Sequence, residues 1–169
     1  MGCEIERKFL VDLTRWQQPD AGIKIIQGYL VRSEKFTVRL RLADQQAFLT
    51  IKGSTHGISR SEYEYPIPLS DAMKMFQEFS DGNFITKTRY YTQVGQHRWE
   101  VDIFEGANTG LALAEIELSD ENEFFEKPEW ATSEVSFDRR YRNAALISHP
   151  YTQWAENTKN SDCEPENLP

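Results

Sequence analysis

Pairs of charged side chains separated by one residue recur along this chain. Glu4-x-Glu6-x-Lys8, Arg39-x-Arg41, Glu62-x-Glu64, Lys87-x-Arg89, Glu100-x-Asp102 and Glu115-x-Glu117 are the doublets, and Lys52 closes the segment AFLTIK. Clustered carboxylates suit hard divalent cations such as Mg²⁺ or Mn²⁺. Arg and Lys suit phosphate oxygens, Arg through its planar fork and Lys as a point charge. The ligand that uses both sets at once is a metal-bound polyphosphate, as in phosphoryl-transfer sites generally. His56, His97 and His149 fall outside the doublets, which disfavours zinc.

Spacing by two is the period of a β-strand, whose alternate residues share a face. The other parity is apolar in the same segments: Val38, Leu40 and Leu42; Leu49 and Ile51; Trp99, Val101 and Ile103; Ala114, Ile116 and Leu118. A single such strand is an ordinary half-solvated one. Seven of them, segregated by sign and built almost wholly from charged residues, point to inward-facing charge. Burying so many ions costs several kcal/mol each unless they are paired or ligand-bound, so the two signs serve different parts of one ligand. Arg60 and Arg98 share the charged parity nearer the strand starts.

Strand-like segments run over 3–11, 22–33, 36–42, 47–53, 59–68, 84–91, 97–104 and 112–119, joined mostly by brief turns. Sequential hairpins of this kind predict a mainly β (α+β) chain, an eight-stranded antiparallel closed β-barrel with a charged lumen and flanking helices. One helix is expected after Ser70 as cap, with Ala72, Met75, Phe76 and Phe79 as its packing stripe and Asp81-Gly82-Asn83 as its stop. A second is expected over 138–147, capped by Asp138 and preceded by a turn around Pro128-Glu129-Trp130. The acidic, proline-terminated end reads as a disordered tail, so the expected division is one domain over 1–150 and a tail over 151–169.

A net charge of −8 in 169 residues argues against nucleic-acid backbones as partner. No apolar run approaches a membrane span, and no secretory leader opens the chain. The expectation is a cytoplasmic protein with a small-molecule partner, no nucleic acid and no membrane. Oligomeric state does not follow from the sequence, a homodimer being one option. Cys3 and Cys163 have no metal spacing and read as free thiols.

The doublets, in this order and opening at the extreme N-terminus, resemble the CYTH superfamily, the triphosphate tunnel metalloenzymes. QGYL (27–30), KTRYY (87–91) and FDRRYRNAALI (137–147) are similar to its short, single-domain bacterial branch, and the resemblance covers about residues 1–147. It implies a tunnel that binds a linear triphosphate. By match to the family pattern, Glu4, Glu6, Glu115 and Glu117 hold Mg²⁺ or Mn²⁺, with Asp102 as a further ligand. Lys8, Arg39, Arg41, Lys52, Lys87 and Arg89 grip phosphate, and Tyr29 contacts substrate or packs. Glu62, Glu64 and Glu100 hold a second metal or orient the attacking water, and Lys87 is counted with them as catalytic.

Among the activities this resemblance implies, hydrolysis of inorganic tripolyphosphate to pyrophosphate and phosphate leads. A class IV-type adenylyl cyclase would need base and ribose contacts, and apart from Tyr29 the aromatics fall mostly on the outward parity. A thiamine or nucleoside triphosphatase is a third reading. A non-catalytic polyphosphate sensor is the alternative from another class, and it would gain little from eight carboxylates.

Overall fold

The computed structural model describes residues 2–80 and 82–154. The first five strands are β1 (Glu4–Val11), β2 (Ile23–Arg32), β3 (Phe36–Ala43), β4 (Gln46–Gly53) and β5 (Ser59–Arg60). After them come β6 (Glu62–Ile67), helix α1 (Leu69–Phe79), β7 (Ile85–Val94), β8 (His97–Phe104), β9 (Ala112–Glu117), β10 (Ala131–Glu134) and helix α2 (Asn143–Ser148). All pairings are antiparallel, in the order β10-β1-β9-β8-β7-β2-β3-β4-β6, with β5 off this path on β1. Tight two-residue turns link β3 to β4 and β7 to β8, where Asp44 (φ 50°) and Gly95 (φ 56°) take left-handed backbone.

The closed eight-stranded barrel expected from the sequence does not form. Among the described residues the sheet has ten strands and is open, with β10 and β6 at its two ends and no ladder joining them. Two local events explain this. The segment expected as one strand over 59–68 breaks at Ser61, so β6 continues the β4 ladder while only the two residues of β5 pair with β1, at Glu4↔Arg60 and Ile5↔Ser59. The C-terminal half of β1 is then taken by β10, at Phe9↔Glu134 and Val11↔Ala131. A closing strand finds that edge occupied.

The alternation works as read. On the outer face Phe9, Trp99, Val101, Ala114 and Ile116 are fully buried under Trp16, Trp130 and Phe125. Trp99 sits 5.5 Å from both Phe9 and Trp130 between ring centroids, so Trp99→Ala should cost roughly 3–5 kcal/mol. A second core occupies one end of the inner face: Ile85, Phe104 and Leu113 meet Leu146 of α2, together with Val135, Tyr141 and Trp154. The inner face is therefore apolar at one end and charged along the rest.

The helices differ in detail from expectation. Pro68, not Ser70, precedes α1, and no side chain caps it. Ala72 is buried and Met75 and Phe76 half-buried, but Phe79 is exposed. Phe76 packs edge-on to Phe84 across Gly28, where a Cβ would lie 2.9 Å from the Phe76 ring. Asp81 of the expected stop lies outside the described residues. The helix expected over 138–147 is split by extended backbone at Arg142 (φ −72°, ψ 136°) into a 3₁₀ turn, Arg139–Tyr141, and α2. Asp138 caps the turn by accepting from the Arg140 N–H. The expected tail from 155 onward lies outside the described residues. Among those described, no helix is long and apolar enough to cross a membrane.

Candidate active site

The concave inner face encloses a cavity of about 1130 Å³. Antiparallel register brings the doublets of non-adjacent segments together there, because each strand contributes its inward parity at the same level. Glu6 stands opposite Glu117, Lys8 and Glu100 both stand opposite Glu115, Arg89 opposite Asp102, and Lys52 opposite Glu62.

At the floor, Arg89 forks onto Asp102 through Nε and Nη2, each at 2.7 Å, while Nη2 also donates to Glu115 at 3.0 Å and Nη1 to Glu100. Lys87 donates to the same Asp102 carboxylate, and Asp102 is completely buried. On the β1–β9 wall, Lys8 Nζ lies 2.7 Å from Glu115 and 3.4 Å from Glu6. Glu4 accepts from Arg60 at 2.5 Å and from Lys52 at 3.1 Å, and Lys52 also reaches Glu62 at 2.6 Å. On the β3–β4–β6 wall, Glu64 accepts from Arg41 and Thr50 at 2.7 Å and from Arg39 at 3.2 Å.

The carboxyls divide into two electrostatic classes. Burial works against ionising Glu115, yet Lys8, Arg89 and Lys87 hold it well below the usual carboxylate range. Arg89 and Lys87 likewise hold Asp102 down against its burial. Glu6 is pushed up, by burial first and by Glu115 next. Burial raises Glu100 despite Arg89, and raises Glu117 with help from Glu4, Glu100 and Glu6. On the basic side, burial pushes the Lys87 and Lys52 ammoniums down, whereas Glu115 and Glu6 hold Lys8 up against its burial. Burial also raises the Tyr29 hydroxyl.

Thirteen of the fifteen sequence-derived site residues line the cavity: Glu4, Glu6, Lys8, Tyr29, Arg39, Arg41, Lys52, Glu62, Glu64, Arg89, Glu100, Glu115 and Glu117. Lys87 and Asp102 do not; they share the right parity but lie beneath the floor, next to the apolar end, with Lys87 over the Phe104 ring. Thr50 binds Glu64, and Tyr91 lines the cavity beside Arg89. Both sit at inward parity and were open to the same period-two argument. Arg139, Arg142 and Asn143 also line it, from the stretch expected as one helix over 138–147, where the sequence did not single them out as site residues.

Among the described residues, no group of three or more His, Cys, Asp or Glu side chains stands ready to hold a metal ion. The donor chemistry nevertheless fits a hard divalent cation. Glu6 and Glu117 face each other as register partners, and both carboxyls, like Glu100, are raised by burial and by neighbouring carboxylates. A divalent cation among them would relieve that repulsion. The Nε–H groups of Arg39 and Arg41 are buried without a hydrogen-bond partner among the described residues. Buried donors of this kind call for an acceptor, and here they belong to cations at a cavity wall.

Residues 2–146 match the CYTH domain family. The chain is 42% identical over 156 residues to an inorganic triphosphatase of Acetivibrio thermocellus, an alignment covering 92% of this chain and all of that one. It is 36% identical over 150 residues to an inorganic triphosphatase of Nitrosomonas europaea, covering 85% of this chain and 95% of the relative. A crystal structure of an inorganic triphosphatase superposes with a TM-score of 0.60 at 32% identity, over 85% of this chain and 96% of that one.

Proposed function

The chain belongs to the CYTH domain family, and from that premise we propose that it hydrolyses a linear triphosphate, inorganic tripolyphosphate, to pyrophosphate and phosphate. The observation that carries this reading is the meeting, in one cavity, of basic doublets with unpartnered Arg39 and Arg41 donors and of carboxylates that repel one another. A polyanion supplies the acceptors. Glu4, Glu6, Glu115 and Glu117 are the residues that would hold Mg²⁺ or Mn²⁺. When bound, such an ion neutralises charge on the phosphate oxygens and polarises phosphorus for attack.

Arg39, Arg41, Lys52, Arg89 and Lys8 bind the phosphate oxygens. Glu64 orients Arg39 and Arg41, Glu62 orients Lys52, and Asp102 with Lys87 orients Arg89 from beneath. In this assignment both sequence-derived floor residues are positioning groups. Glu100 lines the cavity with a raised carboxyl, which suits a group that accepts a proton from the attacking water. Water adds to the terminal phosphorus, the phosphoanhydride P–O bond breaks, and its electron pair leaves with pyrophosphate. Tyr29 contacts the substrate through its hydroxyl at the cavity wall. The reading takes the protein as cytoplasmic, acting on a small molecule rather than nucleic acid.

The test is phosphate release from tripolyphosphate, pyrophosphate, ATP and thiamine triphosphate, with Mg²⁺, with Mn²⁺ and with chelator, alongside an assay for cyclic AMP. Metal-dependent release, fastest from tripolyphosphate, supports the reading. Cyclic AMP as the main product, or equal release under chelator, sinks it.

A further inference from the structure

Two guanidiniums at the cavity wall stand outside the paired lattice. Lys8, Arg39, Arg41, Lys52, Arg60 and Arg89 all face carboxylates. Arg139 and Arg142 line the same cavity, yet neither makes an ion pair among the described residues. Their placement is built into the local fold. Arg139 opens the 3₁₀ turn and Arg142 follows its last residue, with the Arg142 N–H closing the turn on the Arg139 carbonyl at 3.2 Å. The two residues between them act as clamps. Arg140 forks onto Asp138 at 2.5–3.0 Å, and Tyr141 is buried against Trp154 with ring centroids 5.1 Å apart.

Burial pushes the Arg142 guanidinium down first, and the charges of Arg139 and Arg60 push it further. Three cations thus converge, and the carboxylates that act on them (Glu4, paired at 2.5 Å, with Glu6 and Glu62 behind it) act on Arg60. The cavity's volume of about 1130 Å³ exceeds what a drug-sized ligand fills, roughly 300–1,000 Å³. There is room for a chain longer than three phosphates.

We propose that Arg139 and Arg142, with Arg60 beside them, form an outer anion subsite that takes a phosphate beyond the three gripped by the inner doublets. The ligand class is a linear inorganic polyphosphate of four or more units. This rests on the triphosphatase reading for the occupant of the inner doublets, but the subsite itself is tested without turnover.

Calorimetric affinities for tripolyphosphate and tetrapolyphosphate are measured on full-length protein under chelator. Wild type should bind tetrapolyphosphate about tenfold more tightly than tripolyphosphate, the scale of one charge-assisted contact. Arg139→Ala/Arg142→Ala should bring that ratio close to one, and Arg139→Lys/Arg142→Lys should restore part of it. Arg139 is exposed, so Arg139→Ala alone reads the same ratio should the double variant fail to fold. A ratio near one in wild type, or one unchanged by these substitutions, overturns the proposal. A protein that shows the ratio and its loss but hydrolyses no tripolyphosphate keeps the subsite and loses the hydrolase.

Discussion

Glu6 of β1 and Glu117 of β9 are register partners, two carboxylates directly opposite on adjacent strands, with Lys8 of β1 closer to Glu115, at 2.7 Å, than to Glu6, at 3.4 Å. Like charges directly opposite are destabilising in a sheet, and nothing in the core needs them there. The arrangement has a physical rationale once a divalent cation is counted as part of the site.

A pH dependence follows. A carboxyl whose folded pKa lies above its unfolded value holds its proton more tightly in the folded state, so acidification through that window stabilises the fold. Glu6, Glu100 and Glu117 are of this kind. Under chelator the Tm should rise as pH falls from neutrality toward their ordinary value of 4.5. Below that value Glu115 and Asp102, whose folded pKa values are lowered, lose their contribution and the Tm should fall. Saturating Mg²⁺ should flatten the upper limb. A chelated protein whose Tm declines steadily from pH 7.5 downward would contradict this.

The floor pairs make a stability prediction. Asp102 compensates two buried cations, Lys87 and Arg89. Removing one partner of a buried ion pair typically costs about 3–5 kcal/mol, so Asp102→Ala should lower the unfolding free energy by roughly that amount in urea titrations. A loss under about 1 kcal/mol would mean the floor is wetter than its burial implies.

Arg89→Lys keeps the charge but loses the fork that reaches Asp102, Glu115 and Glu100 together. Lys is not a conservative replacement at such a position. The kcat/KM for tripolyphosphate should fall by about tenfold to a hundredfold, the equivalent of one charge-assisted hydrogen bond. Near-normal kcat/KM would remove Arg89 from the phosphate-binding set.

Glu117→Gln keeps the size of the side chain and removes its charge. It should abolish metal-dependent turnover and raise the Tm of the chelated protein at pH 7.5, since a repelling carboxylate is gone. Full activity at low Mg²⁺ would remove Glu117 from the proposed ligand set.

Which face each side chain takes was readable from the alternation, because parity is a local property of extended backbone. Depth along that face was not. Lys87 and Asp102 share the parity of Arg89 and Glu100 but lie beside Ile85, Phe104 and Leu113, where α2 fills the concavity. Closure was unreadable for a similar reason: it depended on β10, four residues of Ala-Thr-Ser-Glu with no apolar alternation, competing for the edge of β1. Arg139 and Arg142 were not singled out either, since their stretch reads as one helix over 138–147, where charged residues pass for a solvated face.

Hydrolysis of tripolyphosphate in ¹⁸O-enriched water, followed by ³¹P NMR, tests the central claim most directly. With Mg²⁺ or Mn²⁺ present, one phosphate should appear for each pyrophosphate, and the label should enter the phosphate because water attacks the terminal phosphorus. No products in the presence of metal, or ATP consumed in preference to tripolyphosphate with cyclic AMP and pyrophosphate formed, would contradict it.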